Sequence, residues 1–220
     1  MSTPTGPLIA SGRAADVFDQ GDGTVLRRYR SEHDTELEAR VMTWLYDEEV
    51  PVPEVHAASD RDLVMDRISG PTMLEDLGRR PWMMVAHART LAALQRRYNS
   101  LTAPDWFPRH DGVPVGSSVV HLDLHPMNVM LGERGPVIID WTNAGSGQGP
   151  FDAAMTYVLI SAFEASGVKD RVGQRVVTDV FARSRGRKEL EASLREACVY
   201  RLSDPNLTTG ERTAVERMLK

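Results

Sequence analysis

The run Val119-Val120-His121-Leu122-Asp123-Leu124-His125-Pro126-Met127-Asn128 sets a dense polar group between apolar residues, and Asp140 follows it twelve residues after Asn128. Asp123 and Asn128 stand five apart, while Asp140 sits where the apolar run Val137-Ile138-Ile139 gives out. A carboxylate in such a loop can accept a proton from a hydroxyl. An amide oxygen and a second carboxylate are hard ligands that hold magnesium and leave room for phosphate oxygens and water. An Asp, an Asn five residues on, and an Asp at a strand end are the set that phosphoryl transfer uses. A rival reading rests on the histidines. In extended backbone His121, Asp123 and His125 share one face, because side chains alternate with period two. Such a His-x-Asp-x-His cluster can hold zinc or iron in a hydrolase. Against it, Pro126 stops the strand directly after His125, and His33, His56, His87 and His110 are scattered without ligand spacing.

These residues need elements to place them. Two apolar, β-branched runs flank the polar loop, so 119–140 reads as strand, loop, strand, turn, strand. Upstream, Leu8-Ile9-Ala10, Asp16-Val17-Phe18 and 24–29 read as short strands, with Gly21-Asp22-Gly23 as a hairpin turn. In the third strand Val25, Arg27 and Tyr29 share one face, and Leu26 and Arg28 the other. Leu37, Val41, Trp44 and Leu45 recur at helical spacing and predict a helix over 35–48, ended by Val50-Pro51-Val52-Pro53. A second hairpin turns at Asp60-Arg61-Asp62. Further helices are expected over 72–77, 82–98, 169–182, 187–200 and 208–219. Pro150-Phe151-Asp152 opens another, whose apolar run from Met155 to Ala165 is expected to be buried. The Pro/Gly-rich stretch 101–116 reads as a connecting loop covering Trp106 and Phe107. The stretch 142–150 reads as a flexible turn region in which Thr and Ser are loop formers.

His121-x-Asp123-Leu124-His125-Pro126-x-Asn128 followed by Ile139-Asp140-Trp141 resembles the catalytic motif and metal-binding Asp of the aminoglycoside phosphotransferase and choline kinase superfamily. The resemblance implies an α+β, protein-kinase-like two-lobed fold. It sets a small antiparallel-sheet lobe at 1–67 and a mainly helical lobe at 68–220 that carries the catalytic loop, metal site and acceptor-binding helices. It implies Asp123 as catalytic base, Asn128 and Asp140 as magnesium ligands, and His121 as a buttress of the loop, with His125 supporting it. The turn at Gly12, with one glycine where such loops carry three, takes the place of the nucleotide-covering loop. Arg27, or alternatively Arg28, takes the place of the base that reaches the phosphates. Glu38, or alternatively Glu36, takes the place of its partner on the following helix. The backbone from Met65 to Arg67 falls where an adenine edge is bound. Asp152 matches a residue that braces the catalytic loop. Leu94-Gln95 departs from the family's Leu-His, a change expected to remove a packing and hydrogen-bonding residue near the catalytic loop. The C-terminal helices frame the acceptor in relatives, with Glu164, Asp170 and Asp204 as possible contacts to a cationic group.

Composition bounds the rest. The chain has 220 residues, 41% of them hydrophobic and 26% charged, which is ample for a core or two small fused lobes. A net charge of −5 without any basic block argues against nucleic acid as a partner. The single Cys198 excludes an internal disulfide and points to a reducing compartment. Met1 to Pro7 has neither a basic nor an apolar targeting region, and no run of eighteen apolar residues follows. A cytoplasmic protein without membrane or obligate protein partners is therefore expected. Three readings stand: a magnesium-dependent kinase moving the γ-phosphoryl group of ATP, or GTP, to a small-molecule hydroxyl; a catalytically degenerate nucleotide-binding module of the same fold; and a metallohydrolase built on His121, Asp123 and His125.

Overall fold

The computed structural model describes residues 6–12, 14–165 and 167–220. Its first strands, β1 (Leu8–Ser11), β2 (Ala15–Asp19) and β3 (Thr24–Tyr29), pair antiparallel. Asp22 Oδ1 accepts from the Thr24 amide at 3.0 Å, and Gly21 and Gly23 take φ of 80° and 91°, which completes the turn between β2 and β3. Helix α1 (Thr35–Asp47) starts where Asp34 accepts from the Leu37 amide, and it buries Val41, Met42 and Leu45. The hairpin β4 (Val55–Ser59) and β5 (Asp62–Asp66) follows. β5 inserts between β3 and β4, so the five-stranded antiparallel sheet runs β1-β2-β3-β5-β4. Arg27 therefore lies on the central strand, opposite Val17 on one side and Leu63 on the other.

The chain divides into two compact units, and the first is discontinuous. It takes the chain up to Gly70 together with Met130–Thr142. The hairpin β7 (Val129–Gly132) and β8 (Gly135–Ile138) delivers the second segment, and the Ile138 amide donates to Pro51 O at 2.8 Å. Trp141 is buried, with Nε1 donating to Ile138 O at 3.3 Å, so the backbone on both sides of Asp140 is anchored.

The second unit, Pro71–Val129 with Asn143–Lys220, is largely helical. It comprises α2 (Met73–Arg79), α3 (Met84–Asn99), α4 (Gly149–Ala162), α5 (Val168–Arg185), α6 (Arg187–Leu202) and α7 (Thr209–Met218). Thr72 with Glu75, and Thr208 with Glu211, form reciprocal capping boxes that fix the starts of α2 and α7. α4 is the core of the unit: Phe151, Ala154, Met155 and Val158 are buried, and α6 packs on it with Cys198 fully enclosed. The expected helix ran on to Ala165, but α4 stops at Ala162, and Phe163 leaves it at φ −56°, ψ 131°. Gln174 Nε2 donates to the carbonyls of Ile160 and Phe163 at 2.6 and 2.8 Å, so the released backbone acceptors are met from α5. Among the described residues no helix is long and apolar enough to cross a membrane.

One expectation is corrected outright. Gly145–Gly147, placed in a flexible turn region, forms a strand, β9, that pairs antiparallel with β6 (Ser118–Val120). Glycine pairs here because the backbone runs too close to its neighbours for a side chain. A Cβ on Gly145 lies 2.8 Å from Pro108 O, and one on Gly147 lies 2.8 Å from Val113 Cγ1. No periodicity in the sequence announces such a strand.

Gly70 is closely packed in the first unit. It has φ +140°, and a Cβ there meets Leu131 O at 2.1 Å. Gly70→Ala combines backbone strain with a backbone clash and lowers the unfolding free energy by about 2 kcal/mol or more. The shift of the urea midpoint measures this.

Candidate active site

In the first unit β3 and α1 bring Arg27 and Glu38 together. Arg27 Nη1 donates to Glu38 Oε1 at 3.2 Å, and Nη2 donates to Asp140 Oδ1 at 2.7 Å. The guanidinium also lies 4.8 Å from the centre of the Tyr29 ring. Burial opposes its charge, but Asp140 and then Glu38 outweigh burial, and the pKa rises above the ordinary arginine value. Arg28, on the opposite face of the strand, is held by both oxygens of Asp62, at 2.7 and 2.6 Å. Alternation along β3 thus gives each arginine its own carboxylate. Of the two candidate glutamates on α1, Glu38 is buried and Glu36 is exposed.

Glu38 is held by more than Arg27. Tyr29 Oη donates to Glu38 Oε2, and His33 Nε2 lies 3.1 Å from the same oxygen. The Tyr29 and His33 rings stack with centroids 3.9 Å apart. Burial, then the charge of Glu38, raises the Tyr29 hydroxyl above its ordinary pKa, so Tyr29 serves as a proton donor in this cluster. Asp140 has φ +64°, left-handed for a non-glycine residue, and the neighbouring hydroxyl of Thr142 donates to its Oδ1 at 2.7 Å.

The remaining candidates in this unit have these surroundings. Gly12 lies in the turn after β1, where its amide donates to Ala15 O at 2.9 Å; Arg13 beside it lies outside the described residues. The Met65 backbone belongs to β5 and pairs opposite Val25 and Val55. The Asp66 amide donates to Glu54 O and the Arg67 amide to Gly23 O, each at 2.9 Å, and the Arg67 side chain pairs with Asp19.

In the second unit the loop after β6 is built on Asp152, which has no exposed surface. Its Oδ1 accepts from the amides of His121 and Leu122 at 3.1 and 2.8 Å. Its Oδ2 accepts from Tyr98 Oη at 2.8 Å, and from Asn99 Nδ2 and Gln95 Nε2 at 3.0 Å each. Leu122 has φ +65°, a conformation that costs a bulky residue about 1–2 kcal/mol, which the two amide bonds to one carboxylate offset. Gln95, the departure noted in the sequence, also donates to Thr156 Oγ1 at 2.9 Å. It therefore supplies the hydrogen bonds that the substitution was expected to remove.

That loop presents Asp123. Asn128 Nδ2 donates to Asp123 O at 2.9 Å and to Asp123 Oδ2 at 3.3 Å, which turns Asn128 Oδ1 away from Asp123. His121 is fully buried, and its Nδ1 accepts from the Asp123 amide at 3.3 Å. His125 Nε2 lies 3.8 Å from Asp123 Oδ2, and its Nδ1 accepts from the Met127 amide at 3.3 Å. The shared extended face needed for a His121-Asp123-His125 metal cluster does not form, because the strand ends at Val120 and Leu122 turns left-handed. Among the described residues no group of three or more His, Cys, Asp or Glu side chains is placed to hold a metal ion. The zinc or iron reading therefore lacks its ligand set. Asn128 in this unit offers an amide oxygen and Asp140 in the first a carboxylate, and each donor type suits magnesium.

A cavity of about 450 Å³ opens beside Asp123, with Asp111, Asn143, Tyr200 and Asp204 in its wall. This is within the size range of small-molecule sites. Arg201 also lines it and is committed to Asp204 at 2.8 Å. Of the three acidic residues considered for the acceptor, Asp204 reaches this cavity, while Glu164 accepts from Thr208 Oγ1 at 2.6 Å. Sequence reasoning passed over Thr142, His33, Tyr98 and Asn99. Tyr98 and Asn99 carried a usable signal, since Gln95, Tyr98 and Asn99 at i, i+3 and i+4 put three polar groups on one helix face.

A five-stranded antiparallel sheet followed by a helical bundle, with the Asp123–Asn128 loop set between α3 and α4 of that bundle, defines a protein-kinase-like fold. The model of the phosphotransferase enzyme family matches residues 5–114 and 105–187, and the chain belongs to that family. Its fold is similar to that of an aminoglycoside phosphotransferase, APH(2'')-Ib, solved with ADP, at TM-score 0.64 and 14% identity over 97% of this chain and 91% of that one. A choline/ethanolamine kinase family protein from Mesorhizobium loti gives TM-score 0.59 and 16% identity, over 98% of this chain and 86% of that one. An amicoumacin kinase solved with AMP-PNP, Ca2+ and its ligand gives 0.57 and 13%, over 97% and 86%. No curated protein sequence matches.

Removing Asp152 strands the donors around it in a dry core, and Asp152→Ala loses about 3–5 kcal/mol of stability. Asp152→Asn loses less, since one acceptor oxygen remains. Chemical unfolding of the two variants beside the wild type gives the ranking.

Proposed function

We propose that this protein transfers the γ-phosphoryl group of ATP to a hydroxyl of a small molecule that carries positive charge. The observation that carries the reading is Asp123: a partly exposed carboxylate, held by Asn128 and flanked by His125, on the wall of a cavity whose other acids are Asp111 and Asp204. Asp123 receives the acceptor's hydroxyl, aligns it and takes its proton as the new bond to phosphorus forms. Arg27, positioned by Glu38, meets the α- and β-phosphate oxygens with a fork that suits them. Asn128 and Asp140 are the magnesium ligands, each through oxygen. Magnesium, when bound, offsets charge on the β- and γ-phosphate oxygens. Positioning and charge stabilisation account for most of such a reaction.

The cavity's carboxylates favour an aminoglycoside-like compound or an amino alcohol over a neutral sugar. Arg201 does not reverse that balance, because Asp204 at 2.8 Å and Glu211 at 3.8 Å already neutralise it. Proteins of similar fold run the same way, among them an aminoglycoside phosphotransferase and a choline/ethanolamine kinase family protein. The one-glycine turn at Gly12 and the arginine in place of lysine favour a second reading, a nucleotide-binding module without turnover.

Thermal unfolding with MgATP and with MgGTP, for wild type and Asp140→Ala, separates the readings. A ligand at a hundredfold excess over its Kd adds about 2.7 kcal/mol to the stability of the folded state. We expect a magnesium-dependent rise with ATP that Asp140→Ala loses. No rise with either nucleotide, in a folded sample, overturns the proposal.

In a coupled assay over amino alcohols and aminoglycosides, Asp123→Asn keeps the thermal shift and loses about two to four orders of magnitude in kcat. Nucleotide binding without acceptor-dependent turnover in the wild type supports the module instead.

A further inference from the structure

Thr142 touches every member of the polar cluster in the first unit except His33. Its Oγ1 lies 2.7 Å from Asp140 Oδ1, 3.1 Å from Tyr29 Oη, 3.4 Å from Glu38 Oε1 and 3.4 Å from Arg27 Nη2. The protons available decide how these contacts are used. Tyr29 has one hydroxyl proton and gives it to Glu38 Oε2. Thr142 has one, and the 2.7 Å contact assigns it to Asp140 Oδ1. Arg27 donates separately to Glu38 and to Asp140. Each carboxylate thus takes the guanidinium and one hydroxyl, and Thr142 Oγ1 is the atom common to both halves.

We propose that Thr142 is a positioning residue for the transfer reaction. It fixes the rotation of the Asp140 carboxylate and couples it to the Arg27–Glu38 pair, so the metal ligand and the phosphate-binding arginine are set together. Asp140 needs this restraint. It lies beyond the end of β8, and its left-handed backbone at φ +64° sets the direction of its side chain but not the rotation of the carboxylate. A hydroxyl two residues on, beyond the anchored Trp141, reaches back to the same carboxylate. Neither an ordinary loop threonine nor a buried core threonine has reason to bridge two carboxylates and a guanidinium. This assignment rests on the magnesium role proposed for Asp140, so its test has an arm that does not.

Thr142→Val keeps the shape and removes the hydroxyl, and Thr142→Ser restores it. The first arm measures the thermal shift of the full chain with ATP across a magnesium series. Loss of an outer-shell partner weakens metal binding by roughly 10–100-fold, so Thr142→Val needs that much more magnesium for its half-maximal shift, while Thr142→Ser follows the wild type. A change under about twofold in Thr142→Val overturns the assignment on the same scale. The second arm needs no ligand. Tyr29→Phe and Asp140→Asn are combined in a double-mutant cycle, read as melting temperature, once in the wild-type chain and once in the Thr142→Val variant. Non-additive shifts with threonine that become additive with valine support the coupling, and equal coupling in both overturns it. If the wild type shows no nucleotide shift, the proposed function falls and the second arm alone decides the role of Thr142.

Discussion

A carboxylate withdrawn from water must find all of its partners inside the protein, or it will not stay charged there. Asp152 meets that condition with five donors, three from α3 and two from the backbone of the catalytic-type loop. The demand works in both directions. Asp152 requires the amides of His121 and Leu122 to point at it, and only the left-handed turn at Leu122 aims two consecutive amides that way. The direction in which Asp123 leaves the loop follows from that turn. Arg185 completes the arrangement: its Nη2 donates to Asn99 Oδ1 at 2.7 Å, and Asp152 supports its charge against a burial that lowers its pKa. The same surroundings push the Tyr98 hydroxyl well up, through burial first and then Asp152, which keeps it a donor.

The other unit solves the converse problem around a buried cation. Arg27 sits between Glu38 and Asp140, so two negative charges face one positive. Tyr29 and Thr142 lend hydroxyl protons to the two carboxylates, which lowers the cost of this excess at buried Glu38, while Asp140 keeps contact with solvent. The negative charge in surplus suits the magnesium ion that the proposed reaction assigns to Asp140, and leaves Arg27 to the phosphates.

Much of this was legible in the sequence, and where it was not the reasons are physical. Alternation along β3 put Arg27 and Tyr29 on one face, and the structure uses that face. It left Arg27 and Arg28 as rivals, because the choice depends on which carboxylate a partner strand or helix offers, and Glu38 and Asp62 sit on other elements, 11 and 34 residues on. The helices were legible from apolar spacing, but the end of α4 was not, since residues 163–165 are released by capping from Gln174 on another helix. Gln95 looked like a loss when compared with a pattern and is a gain when compared with its neighbours. Thr142 had no signal of its own, because a hydroxyl in a turn looks the same whether it faces solvent or a carboxylate. β9 had none either, since a strand of glycines carries no pattern of side chains.

The first unit is assembled from two stretches of chain separated by 71–129, and this shapes how the protein is made. On a ribosome the five-stranded sheet emerges early, yet Gly70 has no Leu131 to pack against and Pro51 O has no Ile138 amide to accept until the later hairpin appears. At ordinary synthesis rates of about 5–20 residues per second that interval lasts several seconds. Until then Arg27 and Glu38 are both present, but Asp140 is still to come. The nascent chain therefore waits on its own later sequence, and a truncation after the sheet yields a fragment lacking the strand pair that completes it.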